Sequence, residues 1–254
     1  ASQVGTVGHP SNQALSATSG TFTTDLTVDT STLKVDSTNN RVGVGTTSPD
    51  YVFEIETAEN AIANFKSTDA NANIRFTDSN STANGYAGIG AIGDDLTLIA
   101  GNDNRMKIDS AGHVTMPNQS AFSVNPASDQ SNIAVDTNLT VVFGNERFDQ
   151  NADFASNTFT APVTGKYQMN VRIYFQQTDS AATYIQLKLV TSNVDYQCVI
   201  DPDFGQDAVY WTMELTQLAD MDANDTAYVL VRQSGGTAQA DITTQSFFSG
   251  YLVA

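Results

Sequence analysis

The pattern of apolar and polar positions divides the chain into two parts. Up to about residue 121, short apolar runs alternate with Gly, Asn, Ser, Thr and Asp, residues that favour turns. Beyond that point the apolar runs lengthen, aromatic residues cluster, and apolar and polar positions alternate strictly. Helical spacing occurs only in the segment 54–67, which the sequence leaves ambiguous. We therefore predict an all-β protein with a repetitive β-stem over residues 1–121 and a head domain over residues 122–254.

The stem contains a repeated unit. The segment LKVDSTNNRVGV (33–44) returns as MKIDSAGHVTM (106–116), with one residue fewer in the turn. Alternating apolar residues on both sides of a turn predict a β-hairpin. The pairs Asn39–Asn40 and Ala111–Gly112 supply residues that accept the positive φ of a two-residue turn. The stem is therefore predicted to be a series of short hairpins.

These hairpins have little apolar surface of their own. Each strand carries one or two apolar side chains, and an isolated two-stranded hairpin of that kind is marginally stable in water. The same segments of other copies of the chain would supply complementary apolar faces and cover the exposed strand edges. We therefore predict an intertwined trimeric β-stem in which three chains share one axis.

The second part is predicted to be an antiparallel β-sandwich or barrel. Between residues 166 and 175, apolar side chains occupy every second position, as in a half-buried strand: Tyr167, Met169, Val171, Ile173 and Phe175. Further strands are predicted at 139–143, 183–190, 195–200, 208–216, 226–232 and 246–253. This many strands, joined by turns and without helical segments, indicate a sandwich or barrel.

Three segments of the second part resemble a known family. They are FASNTFTAPVTGKYQMNVRIYF (154–175), LADMDANDTAYVLV (218–231) and SFFSGYLVA (246–254). In this order they are similar to the globular head of complement C1q, a branch of the tumour necrosis factor-like jelly rolls, over about residues 141–254. The resemblance implies a ten-stranded, two-sheet jelly roll that trimerises, binds partners through its outer surface and has no catalytic residues. The chain departs from the family at Asn224–Asp225, where Gly-Asp is usual, and it lacks the collagen stalk of the animal members.

The stem carries a second resemblance. The segments 31–51 and 104–116 are similar to repeats in the tail fibres and other virion fibres of tailed bacteriophages. This resemblance implies a fibre on the extracellular virion, attached to other virion proteins through its N-terminal end, with its head towards the bacterial host. The chain begins at Ala1 and not at Met, so we expect that upstream residues have been removed.

The charge of the chain limits its partners. With 28 acidic and 11 basic residues, the net charge is −17. An acidic surface of this size repels phosphate backbones and anionic lipid, so neither nucleic acid nor membrane insertion is expected. No apolar run reaches the ~18–20 residues that a membrane span needs. Cys198 is the only cysteine and is predicted to be a core residue, not a reactive thiol.

Few residues support an enzymatic function. The two histidines, His9 and His113, lie outside the head, and His113 corresponds to Arg41 of the first repeat, so a solvated side chain is predicted. A carboxylate pair for glycoside hydrolysis is not excluded, because 28 acidic residues guarantee close pairs somewhere. We predict no catalytic residues, and an envelope polysaccharide depolymerase is kept as an alternative.

Two acidic loops are candidates for a bound ion. Asp201, Asp203 and Asp207 place several carboxylate oxygens within one turn, which suits a hard cation such as calcium, and the loop 220–225 has the same character. Ordinary solvated turns are the alternative, since the spacing is not that of an EF-hand. No other cofactor is predicted.

Three tyrosines are candidates for the subunit interface. Tyr174, Tyr210 and Tyr228 fall on the polar phase of their predicted strands, and exposed rows of aromatic residues are typical of interfaces. Related jelly rolls have similar residues at the three-fold axis, so we predict that these tyrosines lie in the trimer interface. Receptor contacts would then fall to loops such as 176–183, 192–195 and 201–207, although the sequence does not identify the residues.

These features predict a homotrimeric structural virion fibre whose head binds a glycan or protein on the bacterial surface. A capsid or collar decoration fibre without a specific receptor is the alternative within the same class of protein.

Overall fold

The computed structural model describes residues 26–28, 32–82 and 85–254. Strands are the only regular elements in that part of the chain, as predicted for an all-β protein. Two compact units are present, Ala1–Asp69 and Ala70–Ala254. Within the described residues there is no helix with the length and apolarity that a membrane crossing needs. The division of the chain into a stem and a head between residues 121 and 122 stays a prediction.

The described part of the first unit is a four-stranded sheet. Its strands, in chain order, are β1 (Leu26–Val28), β2 (Leu33–Asp36), β3 (Arg41–Val44) and β4 (Phe53–Ile55). The hairpin predicted over 33–44 is formed by β2 and β3. Asp36 closes its turn, because the Oδ1 atom accepts hydrogen bonds from the amides of Thr38 and Asn39 at 3.0 and 3.1 Å. Asn40 has a φ of 55°, the positive value that the turn requires.

The second unit begins with a five-stranded antiparallel sheet. Its strands follow one another in chain order: β5 (Asn71–Phe76), β6 (Ala87–Ile92), β7 (Asp95–Ala100), β8 (Asp103–Ile108) and β9 (Val114–Thr115). Strands β8 and β9 form the second predicted hairpin. Asp109 accepts hydrogen bonds from the amides of Ala111 and His113, both at 2.9 Å, and Gly112 has a φ of 89°. The two copies of the repeat therefore use the same turn chemistry, an Asp side chain followed by a residue of positive φ.

The remaining residues form a sandwich of two six-stranded antiparallel sheets. The strands are β10 (Ala121–Asn125), β11 (Leu139–Thr140), β12 (Asn145–Asp149), β13 (Phe154–Ala155), β14 (Thr158–Thr160), β15 (Gly165–Thr178), β16 (Tyr184–Thr191), β17 (Asp195–Ile200), β18 (Ala208–Met221), β19 (Thr226–Ser234), β20 (Asp241–Ile242) and β21 (Phe247–Leu252). Sheet A has the order β12-β10-β21-β15-β18, with β20 paired to β15. Sheet B has the order β13-β14-β19-β16-β17, with β11 paired to β19. The predicted antiparallel jelly roll is confirmed, with twelve strands where the resemblance implies ten.

The core lies between the two sheets and is filled by alternate residues of each strand. On β15 the predicted inward residues are all buried: Tyr167, Met169, Val171, Ile173 and Phe175. An aromatic cluster fills one end of the core. Phe122 on β10 stacks on Phe154 and Phe159, with ring centroids 5.2 and 4.8 Å apart, and meets the edge of Phe248 at 4.9 Å. Such pairs stabilise a core beyond the effect of their buried area.

Residues 116–120 join the five-stranded sheet to the sandwich, and hydrogen bonds hold these residues against the sandwich. Gln150 Nε2 donates to the Met116 carbonyl at 2.9 Å. Gln119 Nε2 donates to the Leu252 carbonyl at 2.9 Å, and the Leu252 amide donates to the Ser120 carbonyl at 3.0 Å. We call the end of the sandwich that carries these contacts the junction end, and the opposite end the distal end.

Some elements differ from the sequence-based expectation. The predicted strand 139–143 is shortened to β11, because the amides of Val142 and Phe143 donate to the side chains of Gln130 and Asn157 and not to a neighbouring strand. Five strands of the sandwich were not predicted: β10, β12, β13, β14 and β20. Most residues of β12 are polar and exposed, so that strand shows no apolar alternation. In the ambiguous segment 54–67, β4 ends at Ile55 and no helix follows.

Candidate binding surfaces of the head

Two of the three predicted interface tyrosines lie together on the outer face of sheet A. The ring centroids of Tyr174 on β15 and Tyr210 on β18 are 6.0 Å apart, and Tyr210 is 61% exposed. Strand alternation produces this arrangement, because the neighbours Ile173 and Phe175 point into the core. An open cleft of about 510 Å³ lies on the same face and is lined by Arg172, Tyr174, Thr212, Glu214 and Gln245.

The third tyrosine lies on the other sheet. Tyr228 belongs to β19 of sheet B, where it is paired with Thr158 of β14 and Val190 of β16. The structure therefore does not bring Tyr228 together with Tyr174 and Tyr210. The role of the three tyrosines in a trimer interface stays a prediction.

Arg172 is a candidate binding residue that the sequence did not single out. Its guanidinium carbon lies 4.8 Å from the centroid of the Phe247 ring, and Nη2 donates to the Gln245 carbonyl at 3.1 Å. Its Nε atom is buried and has no hydrogen-bond partner among the described residues. The available sequence signal was weak: a cation on the polar phase of a strand, three residues before an aromatic residue on the apolar phase.

Three loops at the distal end of the sandwich are hydrogen-bonded to one another: 176–183, 201–207 and 234–240. Asp207 connects them, since Oδ1 accepts hydrogen bonds from the amide and hydroxyl of Ser180, both at 2.9 Å, and Oδ2 accepts one from Gln239 Nε2 at 2.9 Å. Gln239 Nε2 also donates to the Gln177 carbonyl at 3.3 Å. The distal end is therefore a connected, polar surface.

The loop 192–195 lies at the junction end. Asn193 Nδ2 donates to the Asp220 carbonyl at 3.0 Å and to Asp225 Oδ2 at 2.9 Å. Strand β16, eight residues long, separates this loop from the distal end, a distance of roughly 25 Å. The three loops considered for receptor contacts thus divide into a distal pair and one loop near the stem.

The acidic residues proposed for calcium lie at the distal end. Asp201 Oδ1 accepts a hydrogen bond from the Asp203 amide at 3.2 Å. The backbone hydrogen bond from Ser180 and the side-chain hydrogen bonds from Gln239 and Ser180 hold the pKa of Asp207 below its usual value. In the described part of the chain, no group of three or more His, Cys, Asp or Glu side chains is arranged to hold a metal ion. A calcium site at Asp201, Asp203 and Asp207 stays a prediction.

The groups considered for catalysis are two histidines and one cysteine. His9 lies outside the described residues. His113 is exposed in the β8–β9 turn, with Nδ1 2.9 Å from Asp109 Oδ2, and its hydrogen bond to Asp109 lowers the pKa of that carboxyl. Cys198 on β17 is half-buried against the core, and burial raises the pKa of its thiol.

Comparison with known proteins assigns the head to a family. The C1q domain model matches residues 121–253, which is more than half of the chain. Among solved structures, the globular domain of zebrafish complement 1qA protein is similar, with 17% identity over 54% of this chain and 98% of that one and a TM-score of 0.42. A crystal structure of murine APRIL at pH 8.0 is also similar, with 10% identity over 54% of this chain and all of that one and a TM-score of 0.41. No curated protein matches the chain. This chain belongs to the C1q domain family.

Proposed function

We propose that the chain is a homotrimeric structural fibre of a bacteriophage virion and that its head binds a receptor on the bacterial host surface. C1q and tumour necrosis factor-like domains commonly form trimers and bind ligands, and they are binding and structural modules. One observation carries the proposal. In chain order, the repeated hairpins are followed by residues 116–120 and then by a head of a ligand-binding family.

The outer face of sheet A is the surface that we assign to contacts between subunits. Besides Tyr174 and Tyr210, this face carries Leu218 on β18 and Tyr251 on β21, and both side chains are about half exposed. Aromatic and large apolar side chains on one open sheet face are typical of subunit interfaces. Tyr228, on sheet B, does not belong to this face, and its place in the trimer interface stays a prediction.

The distal end is the surface that we assign to the receptor. It lies at the opposite end of the sandwich from the stem junction, so a fibre attached to the virion through its N-terminal end would present it to the host. Asp207, Ser180 and Gln239 show the chemistry of this surface, which suits the hydroxyl and amide groups of a surface glycan or protein. Three heads on one fibre would strengthen a weak contact by avidity.

The first experiment measures the mass and the cell binding of the full chain. We expect sedimentation at the mass of three chains, and binding to host cells but not to non-host cells. A folded monomer would contradict the trimer. Equal binding to host and non-host cells would favour a decoration fibre without a specific receptor.

A pair of substitutions tests the distal end. Phe204 in a distal loop and Val194 in the junction-end loop are both exposed apolar residues. We expect Phe204→Ala to weaken host-cell binding about tenfold, within the range found for interface aromatic residues, and Val194→Ala to leave it unchanged. The opposite pattern would move the receptor site to the junction end.

A third measurement separates binding from catalysis. Incubation of the trimer with host polysaccharide is expected to produce no new reducing ends. Release of oligosaccharide would identify the chain as a depolymerase.

A further inference from the structure

One face of the β5–β9 sheet is almost entirely apolar. The strand register aligns its side chains in three rows across the sheet: Ala72, Ala91, Leu96, Ile108 and Val114; Ile74, Ile89, Leu98 and Met106; and Phe76, Ala87 and Ala100. The only charged residue in these rows is Asp103, which ends the third row at the edge of the face. We call this surface the apolar stem face.

The apolar stem face is open to solvent in a single chain. Phe76 is 57% exposed and Leu98 is 42% exposed, and Ile89, Leu96 and Val114 are exposed as well. A soluble sheet normally buries its apolar side against another layer. A contiguous apolar patch of this kind marks an interaction surface.

The opposite face of the same sheet is partly covered within the chain. The guanidinium of Arg75 lies 4.3 Å from the centroid of the Tyr86 ring, and Lys107 Nζ is 2.6 Å from Asp95 Oδ2. Thr97 and Ile99 are buried on this side, and Thr97 Oγ1 has no hydrogen-bond partner among the described residues. The chain therefore already covers part of this face, and the apolar stem face is the one that needs a partner.

We propose that the apolar stem face packs against the same face of two other copies of the chain, so that three β5–β9 sheets enclose a dry core around a common axis. The proposal rests on the proposed homotrimer. It specifies which stem residues of the three chains are in contact. It also requires that the sheets pack face to face and that no strands are exchanged between chains.

The chemistry of the face favours a second and third copy as its occupants. Apart from Asp103, the side chains in the three rows offer neither charge nor hydrogen bond, so a partner must present an apolar surface of similar size. Each additional copy supplies such a surface.

The size of the face explains why the contact depends on the head. Five strands spaced by about 4.8 Å and six residues rising about 3.3 Å each give a face of roughly 400 Å². A stable two-protein interface buries about 800 Å² on each partner. The apolar stem face alone is therefore too small to hold a dimer. The hydrogen bonds at residues 116–120 tie the sheet to the head, so assembly of three heads would bring the three faces together.

Cross-linking at two adjacent residues tests the arrangement. Val114 and Thr115 are both exposed on β9 and point to opposite faces of the sheet. Each is replaced by Cys in the full chain and treated with a bismaleimide spanning about 10 Å, the spacing of packed sheets. We expect Val114→Cys to cross-link about two thirds of the chains in pairs, since three symmetry-related thiols leave one unpaired. Thr115→Cys should remain at the level of the unsubstituted chain, which reports Cys198 alone.

A charge on the face provides a second test. Leu98→Asp would place three carboxylates at the axis, and we expect cleavage between residues 70 and 120 by a protease to become about tenfold faster as the stem opens. Asn71→Asp adds the same charge to the opposite face and should leave the cleavage rate unchanged.

The outcomes separate this inference from the proposed function. A trimer in which Val114→Cys cross-links no better than Thr115→Cys would overturn the inference and leave the trimeric fibre standing. Protection of Val114→Cys from a monomaleimide dye, without cross-links, would also overturn it, because another segment or protein would then cover the face. A chain that sediments as a monomer would overturn both.

Discussion

Gly250 offers a direct test of how tightly sheet A packs on the aromatic cluster. It lies on β21 at a position where an added Cβ would be 2.5 Å from Met169 Sδ, 2.8 Å from Phe122 Cε1 and 3.2 Å from the Gln168 carbonyl oxygen. Ordinary contacts between such atoms are about 3.5–4.0 Å. The φ of Gly250 is not positive, so the cost of Gly250→Ala comes from packing and not from the backbone.

The surroundings allow little relief of that contact. Met169 is fully buried, and the Phe122 ring is held between neighbouring rings at 4.8–5.2 Å. Inserting a methyl group into a core of this kind costs about 1–3 kcal/mol. Ala has less conformational entropy than Gly in the unfolded chain, which stabilises the folded state by about 0.4–1 kcal/mol and offsets part of this cost. We therefore expect a net loss of about 1–2 kcal/mol, which lowers Tm by roughly 3–8 °C for a domain of this size.

The assay is thermal unfolding of the full chain followed by near-ultraviolet circular dichroism. All variants are compared at one chain concentration, because association makes Tm depend on concentration. Ser249→Ala is the matched control, since Ser249 is adjacent on β21 and faces away from the core. The second substitution Met169→Val removes the sulfur, so Gly250→Ala should cost less in that background. Equal Tm values for Gly250→Ala and Ser249→Ala would refute the described packing.

Three further predictions concern single groups, and a fourth concerns calcium. Tyr167→Phe removes the hydrogen bond from the Tyr167 hydroxyl to the Val163 carbonyl at 2.7 Å, and should cost about 1 kcal/mol in denaturant unfolding. Because burial raises the pKa of Cys198, its thiol should react with a disulfide reagent more slowly than glutathione at pH 8 and faster as the pH rises; a rate equal to that of glutathione would contradict this. The pKa of Asp207 is lowered in the folded state, so its contribution to stability is present above the ordinary value of 3.8 and is lost as the pH falls below it. The Tm difference between the unsubstituted chain and Asp207→Ala should accordingly shrink between pH 5 and pH 2, and a constant difference would contradict the assignment. If calcium binds at Asp201, Asp203 and Asp207, we expect Tm to be higher in calcium than in a chelator. Equal Tm values would contradict that prediction.

The sequence predicted those parts of the fold that depend on local alternation and turn chemistry. Strand β15 was recognisable because its inward residues alternate without interruption over ten positions. The hairpins were recognisable because an Asp precedes a residue that accepts positive φ. The departure from the family at Asn224 follows the same rule. Its φ is 74°, a value that Gly adopts freely and Asn tolerates, so the turn is kept.

The parts that could not be predicted depend on contacts between residues distant in the sequence. Tyr174 and Tyr228 look equivalent in the sequence, since both lie on the polar phase of a strand. Only the strand order assigns one to sheet A and the other to sheet B. The hydrogen-bonded cluster at the distal end could not be predicted for the same reason, because Asp207, Ser180 and Gln239 come from three separate loops. No local pattern contains that information.

The stem illustrates the difference between counting apolar residues and knowing their register. One or two apolar side chains per strand indicate that a hairpin needs a partner, without saying whether the partner covers its edges or its face. In the β5–β9 sheet both edges of β6, β7 and β8 are paired within one chain. The twelve apolar side chains of the three rows, in contrast, form one continuous exposed face. The requirement that remains is for apolar area and not for backbone hydrogen bonds. An association of three stems can therefore form and separate without unpairing a strand, and the packing of side chains on the apolar stem face would determine its stability.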